Sequence, residues 1–359
     1  MRAILLNPGP VSLSDAVRKA AVSVDLCHRE PEYFELQDRV RQGLLDVYGL
    51  DGSDWAPVLL GGSGTTALEA MMASLQPRDA PLLVIENGVY GERISRIAEI
   101  HGVEHEAVHH GWMEAVDLEQ VESVLSGGLF SHVAAVHHET TTGRLNDIEA
   151  LAGLCERHGA QLLLDAVSSF GAEAIPFQSP ALAACAATAN KCLHGIPGLC
   201  FVVVRRSALE QAVEQPRSLV LHLPLWLEKQ DARSTPFTPA VNGLLALDKA
   251  LVELERGGGW QARHANYSRM AGQVRRTLDG LGVETMMEAG QTSCALTAYR
   301  IPKGLTYDEI HDRLKQWGFV VYAGQGSLVA EMFRISTMGD ISRYDMERLL
   351  AALQSVFSG

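Results

Sequence analysis

Lys191 stands in the run Ala187-Thr188-Ala189-Asn190-Lys191-Cys192-Leu193-His194-Gly195, between apolar stretches at 182–186 and 199–204 that read as buried strands. Charged side chains are rarely enclosed without a partner or a task. A desolvated lysine gives up its proton near neutral pH and attacks carbonyl carbon. The plain alternative is a lysine at a loop mouth with its amine in water. Four other stretches bear on that choice. Gly61-Gly62-Ser63-Gly64-Thr65-Thr66 follows a short strand at 58–60 and opens a helix over 67–75. Backbone amides, the helix dipole and the hydroxyls of Ser63 and Thr65 there make a cup for a phosphate. The run is neither a Walker A nor a full G-x-G-x-x-G, so alone it also reads as an ordinary turn. Asn87-Gly88-Val89-Tyr90-Gly91 ends the strand at 81–85 with an aromatic that either stacks on a planar ring or simply packs. Glu139-Thr140-Thr141-Thr142-Gly143 crowds three hydroxyls into one loop after the strand at 133–137, and Asp165 closes the strand at 161–165.

The elements between these residues give them a common address. Strands alternate with helices predicted over 92–101, 118–125 and 148–158, which makes a mostly parallel sheet covered on both faces. Ligands of such sheets bind beyond the carboxyl ends of the strands. Ser63, Tyr90, Thr141, Asp165 and Lys191 each fall at that end of their own unit. An amine nucleophile, a carboxylate, an aromatic and a phosphate cup on one edge match what pyridoxal 5'-phosphate requires, with Lys191 as its Schiff-base lysine. The chain has six lysines, and Lys19, Lys229, Lys249, Lys303 and Lys315 all lie in polar or amphipathic stretches.

The remainder supplies a frame and a second lobe. Asn7-Pro8-Gly9-Pro10 is a rigid turn after a short apolar start. A helix is predicted over 14–24 with Ser12 or Ser14 as its cap, and an amphipathic helix over 34–48. Between them His28-Arg29 forms a pair that either binds an anion or is satisfied by Glu30 and Glu32. A long helix at 240–255 ends at Gly257-Gly258-Gly259, where we place the boundary between a large domain, 1–255, and a small α+β domain, 256–359. Residues 1–15 read as an arm near the active site. The small domain shows a strand at 294–299, helices at 306–317 and 343–357, and an antiparallel pair at 319–322 and 332–336. Arg334 sits mid-strand among apolar neighbours and points either to an anion in the cleft or to an internal glutamate.

Composition excludes several classes. The 359 residues are 47% hydrophobic with a net charge of −13, which argues against nucleic acid, whose phosphates need a basic surface. A small anionic substrate stays open, because a local cluster of cations overrides the global sign. The six cysteines show no C-x-x-C spacing and read as reduced thiols in a cytoplasmic protein, and no metal ligand set is expected. The start reaches Asn7-Pro8 too soon for a signal peptide, and no apolar run reaches membrane-spanning length.

These motifs, spread over nearly the whole chain, resemble those of the class V aminotransferases, which are fold-type I enzymes dependent on pyridoxal 5'-phosphate. The resemblance is carried by Leu6-Asn7-Pro8-Gly9-Pro10, Gly62-Ser63-Gly64-Thr65, Asn87-Gly88-Val89-Tyr90-Gly91 and Glu139-Thr140-Thr141-Thr142-Gly143. It continues in Asp165-Ala166-Val167-Ser168-Ser169-Phe170-Gly171, Ala189-Asn190-Lys191-Cys192, Gly195-Ile196-Pro197-Gly198 and Phe333-Arg334-Ile335. It implies that Lys191 carries the cofactor, that Asp165 pairs with the ring nitrogen, and that Ser63, Gly64, Thr65 and Asn190 hold the phosphate. Tyr90 would stack on one ring face, Val167 would pack on the other, and Thr141 would lie near the ring hydroxyl. Arg334 would hold the substrate's acid group, with Gly9, His28 and Arg29 beside it. Within the class, the Glu-Thr-Thr-Thr-Gly run and the surroundings of Lys191 are most like members that move the amino group of 2-aminoethylphosphonate to pyruvate. The His28-Arg29 pair is more like members that accept phosphorylated or doubly acidic substrates. The loop Phe237-Thr238-Pro239-Ala240-Val241-Asn242 lacks the threonine and histidine that the family offers to the cofactor phosphate from a neighbouring subunit, with Thr238 and Asn242 as the candidate substitutes, and the resemblance also implies a homodimer. Serine– or alanine–glyoxylate transamination is the rival reading. A lyase or desulfurase using Cys192, and a non-catalytic nucleotide-binding module, are the others.

Overall fold

The computed structural model describes residues 2–210 and 216–358. The chain begins with β1 (Ile4–Leu5), α1 (Asp15–Ala20) and α2 (Pro31–Asp46). Next come β2 (Trp55–Gly61), α3 (Gly64–Leu75), β3 (Leu82–Glu86), α4 (Val89–Ile100), β4 (His105–His109), α5 (Leu118–Gly127) and β5 (His132–Val136). A small hairpin, β6 (His138–Glu139) and β7 (Arg144–Leu145), precedes α6 (Ile148–His158), β8 (Gln161–Asp165), β9 (Leu182–Thr188) and β10 (Leu199–Arg205). Then follow α7 (Arg206–Glu210), α8 (Leu223–Asp231), α9 (Val241–Arg256) and α10 (Gly259–Asp279). The chain closes with β11 (Leu296–Arg300), α11 (Tyr307–Gln316), β12 (Phe319–Val320), β13 (Tyr322–Ala323), β14 (Met332–Ser336) and α12 (Arg343–Phe357).

Seven of the described strands form one sheet in the order β2-β10-β9-β8-β5-β3-β4. Its pairs are parallel except where β10 meets β2 and β9. The continuous apolar strands follow from burial on both faces. Leu83, Ile85, Val133, Ala135, Leu162 and Leu164 face the layer of α2, α5, α6 and α9. Their neighbours Leu82, Val84, Ala134, Val136 and Leu163 face α3, α4 and α8. This alternation is the period-two geometry of a strand.

A second core gathers Tyr267, Val274, Ile310, Phe319, Phe333, Leu349 and Leu353. The amino-terminal segment belongs to it through Ile4, Leu6 and Val11. The expected antiparallel pair at 319–322 and 332–336 is divided at Val321. Tyr322 and Ala323 do pair with Arg334 and Phe333 in β14. Phe319 and Val320 instead pair in parallel with Ile4 and Leu5. The sequence pattern marks Phe319-Val320 as a strand but cannot name a partner drawn from the far end of the chain. The helix expected over 14–24 stops at Ala20: Ser14 Oγ caps it by accepting Val17 N–H at 3.1 Å, but the exposed Val22 and Val24 have nothing to pack on.

Candidate active site

The residues singled out by type converge at the carboxyl edge of the large sheet. Asp165 ends β8, 5% exposed, and its Oδ1 accepts Val167 N–H at 2.9 Å. Burial raises its carboxyl to about 6, while the Val167 bond, Arg93 and Lys191 hold it from going higher. Lys191 follows β9, and its Nζ donates to the Pro8 carbonyl. Burial pulls this amine down to about 8; the Arg334 and Arg93 cations push the same way, and Cys192 and Asp165 push back. Gly9 makes room for the lysine. A Cβ there would lie 2.6 Å from Lys191 Cδ, and its φ of +112° lies where side chains are strained.

The expected phosphate cup falls at the start of α3. Gly62 and Gly64 flank Ser63, whose N–H donates to Thr66 Oγ1 at 3.1 Å. Among the described residues the amides of Gly64 and Thr65 have no acceptor, as expected of a helix's first turn. Gly64 is needed for contact: a Cβ there would lie 2.7 Å from both methyls of Val167. This brings the cup against the turn that follows Asp165. Asn190 Oδ1 accepts the Thr188 hydroxyl at 2.8 Å, beside Lys191.

Glu139 organises the other side. It is fully buried, its Oε1 accepting Thr141 Oγ1 at 2.6 Å and Thr141 N–H at 3.0 Å. Its Oε2 accepts the N–H groups of Tyr90 at 3.0 Å and Gly91 at 3.4 Å, at the start of α4. Thr141 Oγ1 in turn accepts Val89 N–H at 3.1 Å. One carboxylate thus locks the aromatic and the threonine together at a helix N-terminus, where negative charge is favoured. Arg334, 2% exposed, donates from Nη1 to the Thr140 carbonyl at 2.6 Å and from Nε to the Ala323 carbonyl at 2.9 Å. No carboxylate pairs with it among the described residues, so the internal salt bridge is absent.

Three expected residues are not gathered here. His28 is half-buried, Arg29 and Thr238 are exposed, and no hydrogen bond or ion pair among the described residues joins them to Lys191 or the cup. Their loops flank a hollow of about 390 Å³ lined by Val24, Asp25, Ile196, Pro197, Pro239 and Asn242. Cys192 is turned away into the small-lobe core, its Sγ reaching the Ser168 carbonyl at 3.4 Å, and burial pushes its thiol up to about 12. That removes the desulfurase reading of Cys192.

Sequence reading missed Arg93 and gave Glu139 no role. Arg93 lies one turn after Tyr90, a spacing that places both on one helix face. Glu139 carries the signal of an acid beside hydroxyls, and Thr141 is indeed a partner, but the donors from Tyr90 and Gly91 come from another segment. Also unforeseen is a buried carboxylate that pins the turn after β8 to the second core. Glu173, 2% exposed, accepts Ser293 Oγ–H at 2.6 Å and Cys294 N–H at 2.8 Å on Oε1, and meets His264 Nδ1 at 3.1 Å on Oε2. Burial would raise this carboxyl, yet the bonds from His264, Ser293 and Cys294 overcome it and bring it to about 2. No described helix is long and apolar enough to cross a membrane.

A desolvated amine, a buried carboxylate, an aromatic and an open helix N-terminus on one sheet edge define a chemistry; comparison with known proteins defines the family. The aminotransferase class-V family matches residues 52–349. The chain belongs to the class V aminotransferases. The 2-aminoethylphosphonate–pyruvate transaminase of Vibrio cholerae is 36% identical over 358 residues, covering 98% of this chain and 96% of its own. The same-named protein of Phocaeicola vulgatus is 33% identical over 359 residues, covering 98% of each. Among solved structures, an aspartate aminotransferase from Thermus thermophilus superposes with a TM-score of 0.90 at 27% identity, covering 99% of both chains. Pyridoxamine–pyruvate aminotransferase from Mesorhizobium loti gives 0.90 at 27% identity, covering 100% of this chain and 93% of that one. The chain shares the fold-type I architecture of these aminotransferases, built on a mostly parallel sheet covered by helices.

Proposed function

We propose that this class V aminotransferase uses pyridoxal 5'-phosphate held by Lys191 to move the amino group of 2-aminoethylphosphonate, or a close aminophosphonate, to pyruvate. The products are phosphonoacetaldehyde and alanine. The observation that carries the cofactor reading is the pairing of Lys191, lowered to about 8, with Asp165, buried at the end of the adjacent strand. The site's donors fit the group: a cation-accepting carboxylate, an aromatic face, and a helix N-terminus with free amides for the phosphate. When bound, the cofactor supplies an aldehyde and a ring that takes up the electron pair left at the amine-bearing carbon.

The chain's residues do the rest. Lys191 is the attacking amine, and once displaced by substrate it is a base placed to carry a proton between two carbons. Asp165 would keep the ring nitrogen protonated. Ser63, Gly64, Thr65 and Asn190 would hold the phosphate, Tyr90 and Val167 would enclose the ring, and Thr141 would serve its hydroxyl. Arg334 holds the acid group of donor or acceptor. Gly9 closes over the lysine stem and leaves room for substrate.

The donor rests on the relatives' names over nearly full length and on two guanidinium groups, Arg334 and Arg93, that no described carboxylate neutralises. We further propose a cytoplasmic homodimer in which His28, Arg29 and Thr238 of one copy serve the site of the other; that no hydrogen bond or ion pair among the described residues joins them to Lys191 of their own chain supports this. Borohydride reduction followed by peptide mapping tests the lysine, and the label is expected on Lys191. A screen of 2-aminoethylphosphonate, serine and alanine against pyruvate and glyoxylate tests the donor. Serine or alanine with glyoxylate outrunning 2-aminoethylphosphonate with pyruvate would overturn it.

A further inference from the structure

Arg93 projects from α4 one turn after Tyr90. Its guanidinium carbon lies 4.5 Å from the centroid of the Tyr90 ring, over one face. Its Nη1 donates to Thr65 Oγ1 at 3.2 Å. The arginine is half-buried, and among the described residues no carboxylate pairs with it. Glu92 beside it points elsewhere and accepts Trp112 Nε1–H at 2.8 Å. A half-buried guanidinium without an acid partner, bonded to a hydroxyl and laid on a ring, is poorly explained as a stabilising ion pair.

We propose that Arg93 is a positioning residue for the cofactor: held by Thr65 Oγ1 and spread over one face of Tyr90, it fixes the ring and the threonine relative to each other. This rests on the reading that the site takes pyridoxal 5'-phosphate. Thr65 sits in the phosphate cup on α3 and Tyr90 on α4, so the two parts of the site that must receive opposite ends of one ligand come from different helices. Arg93 is the side chain that touches both. Its planar fork can bond an oxygen and stack on a ring at once, which a lysine cannot do. Covering one face of Tyr90 leaves the opposite face for a planar ligand. Its charge also reaches the lysine, which is faced by Asp165, Cys192, Arg334 and Arg93.

The test compares wild type, Arg93→Met and Arg93→Lys as cofactor-free full chains. Each is titrated with pyridoxal 5'-phosphate and with pyridoxal, which lacks the phosphate, and the cofactor's visible circular dichroism is recorded. Lys191 modification is then followed against pH by peptide mapping. Arg93→Met is expected to weaken both ligands by about three- to tenfold, the size of a partly buried cation–π contact, with reduced dichroism. It is also expected to raise the midpoint of Lys191 modification. Arg93→Lys is expected to restore that midpoint, which needs only charge, and to leave the affinities weak. Unchanged pyridoxal binding in Arg93→Met, whether or not the phosphorylated form is weakened, overturns the proposal; if only the latter falls, Arg93 is a direct phosphate ligand. Equal loss of melting temperature in both variants, with Arg93→Lys binding no better and its lysine midpoint still shifted, also overturns it as a merely structural effect. Should wild type itself fail to carry the cofactor on Lys191, the cofactor reading has failed instead.

Discussion

Lys191 owes its lowered pKa to where its amine is put. In water a lysine stays protonated up to its ordinary 10.5, and enclosure at the sheet edge brings it to about 8. In the cofactor-free protein, amine acylation at Lys191 is therefore expected to rise as the pH passes about 8, followed peptide by peptide. A midpoint near the ordinary lysine value would show the amine to be solvated and remove the basis for calling it a nucleophile. Asp165 is the complement: buried and raised to about 6, it is still mostly ionised at neutral pH and would be held so by a protonated ring. Lysine after one apolar strand and aspartate closing another were both visible in the sequence, because a charge among apolar neighbours needs a reason. Glu139 was not, since its four donors are assembled by the fold.

At the scale of elements, Glu173 is one of the ties between the turn after β8 and the second core. This carboxylate sits after β8 and grips the segment before β11 and the half-buried His264 on α10. Its carboxyl titrates near 2 in the folded chain and near 4.5 when unfolded, so its stabilisation is complete above pH 4.5 and lost as the pH falls toward 2. Glu173→Gln is expected to cost about 2–4 kcal/mol in denaturant unfolding at pH 7, the range for breaking a buried charged hydrogen-bond group. The gap between variant and wild type should narrow as the pH drops below 4.5. A gap that stays constant would mean the carboxyl is not ionised in the fold. The signal for this pin is absent from the sequence, where Glu173 is one acid in a loop. Helices and strands themselves were legible from apolar period and caps; what failed was partner choice, as for Phe319 and Val320, which found the amino-terminal strand.

For the whole molecule, the proposed homodimer is the point to test. No hydrogen bond or ion pair among the described residues joins His28, Arg29 or Thr238 to Lys191, and Val22, Val24, Leu219 and Val220 are exposed apolar residues. Light scattering of the purified protein is expected to give twice the chain mass, and Thr238→Ala is expected to weaken the cofactor without altering that mass. A fully active monomer would refute the shared site.

The sequence by itself determined the sheet class and put an amine and an acid, Lys191 and Asp165, at the carboxyl edge of that sheet. Local pattern encodes these: apolar runs set strand burial, and a polar residue ending such a run is conspicuous. Only the tertiary structure decided which groups meet. The Pro8 carbonyl on Lys191, Glu139 joining Tyr90 to Thr141, and Arg93 joining Tyr90 to Thr65 each link segments distant in the chain. Such contacts depend on the packing of helices on a shared sheet, and no spacing within one segment records them.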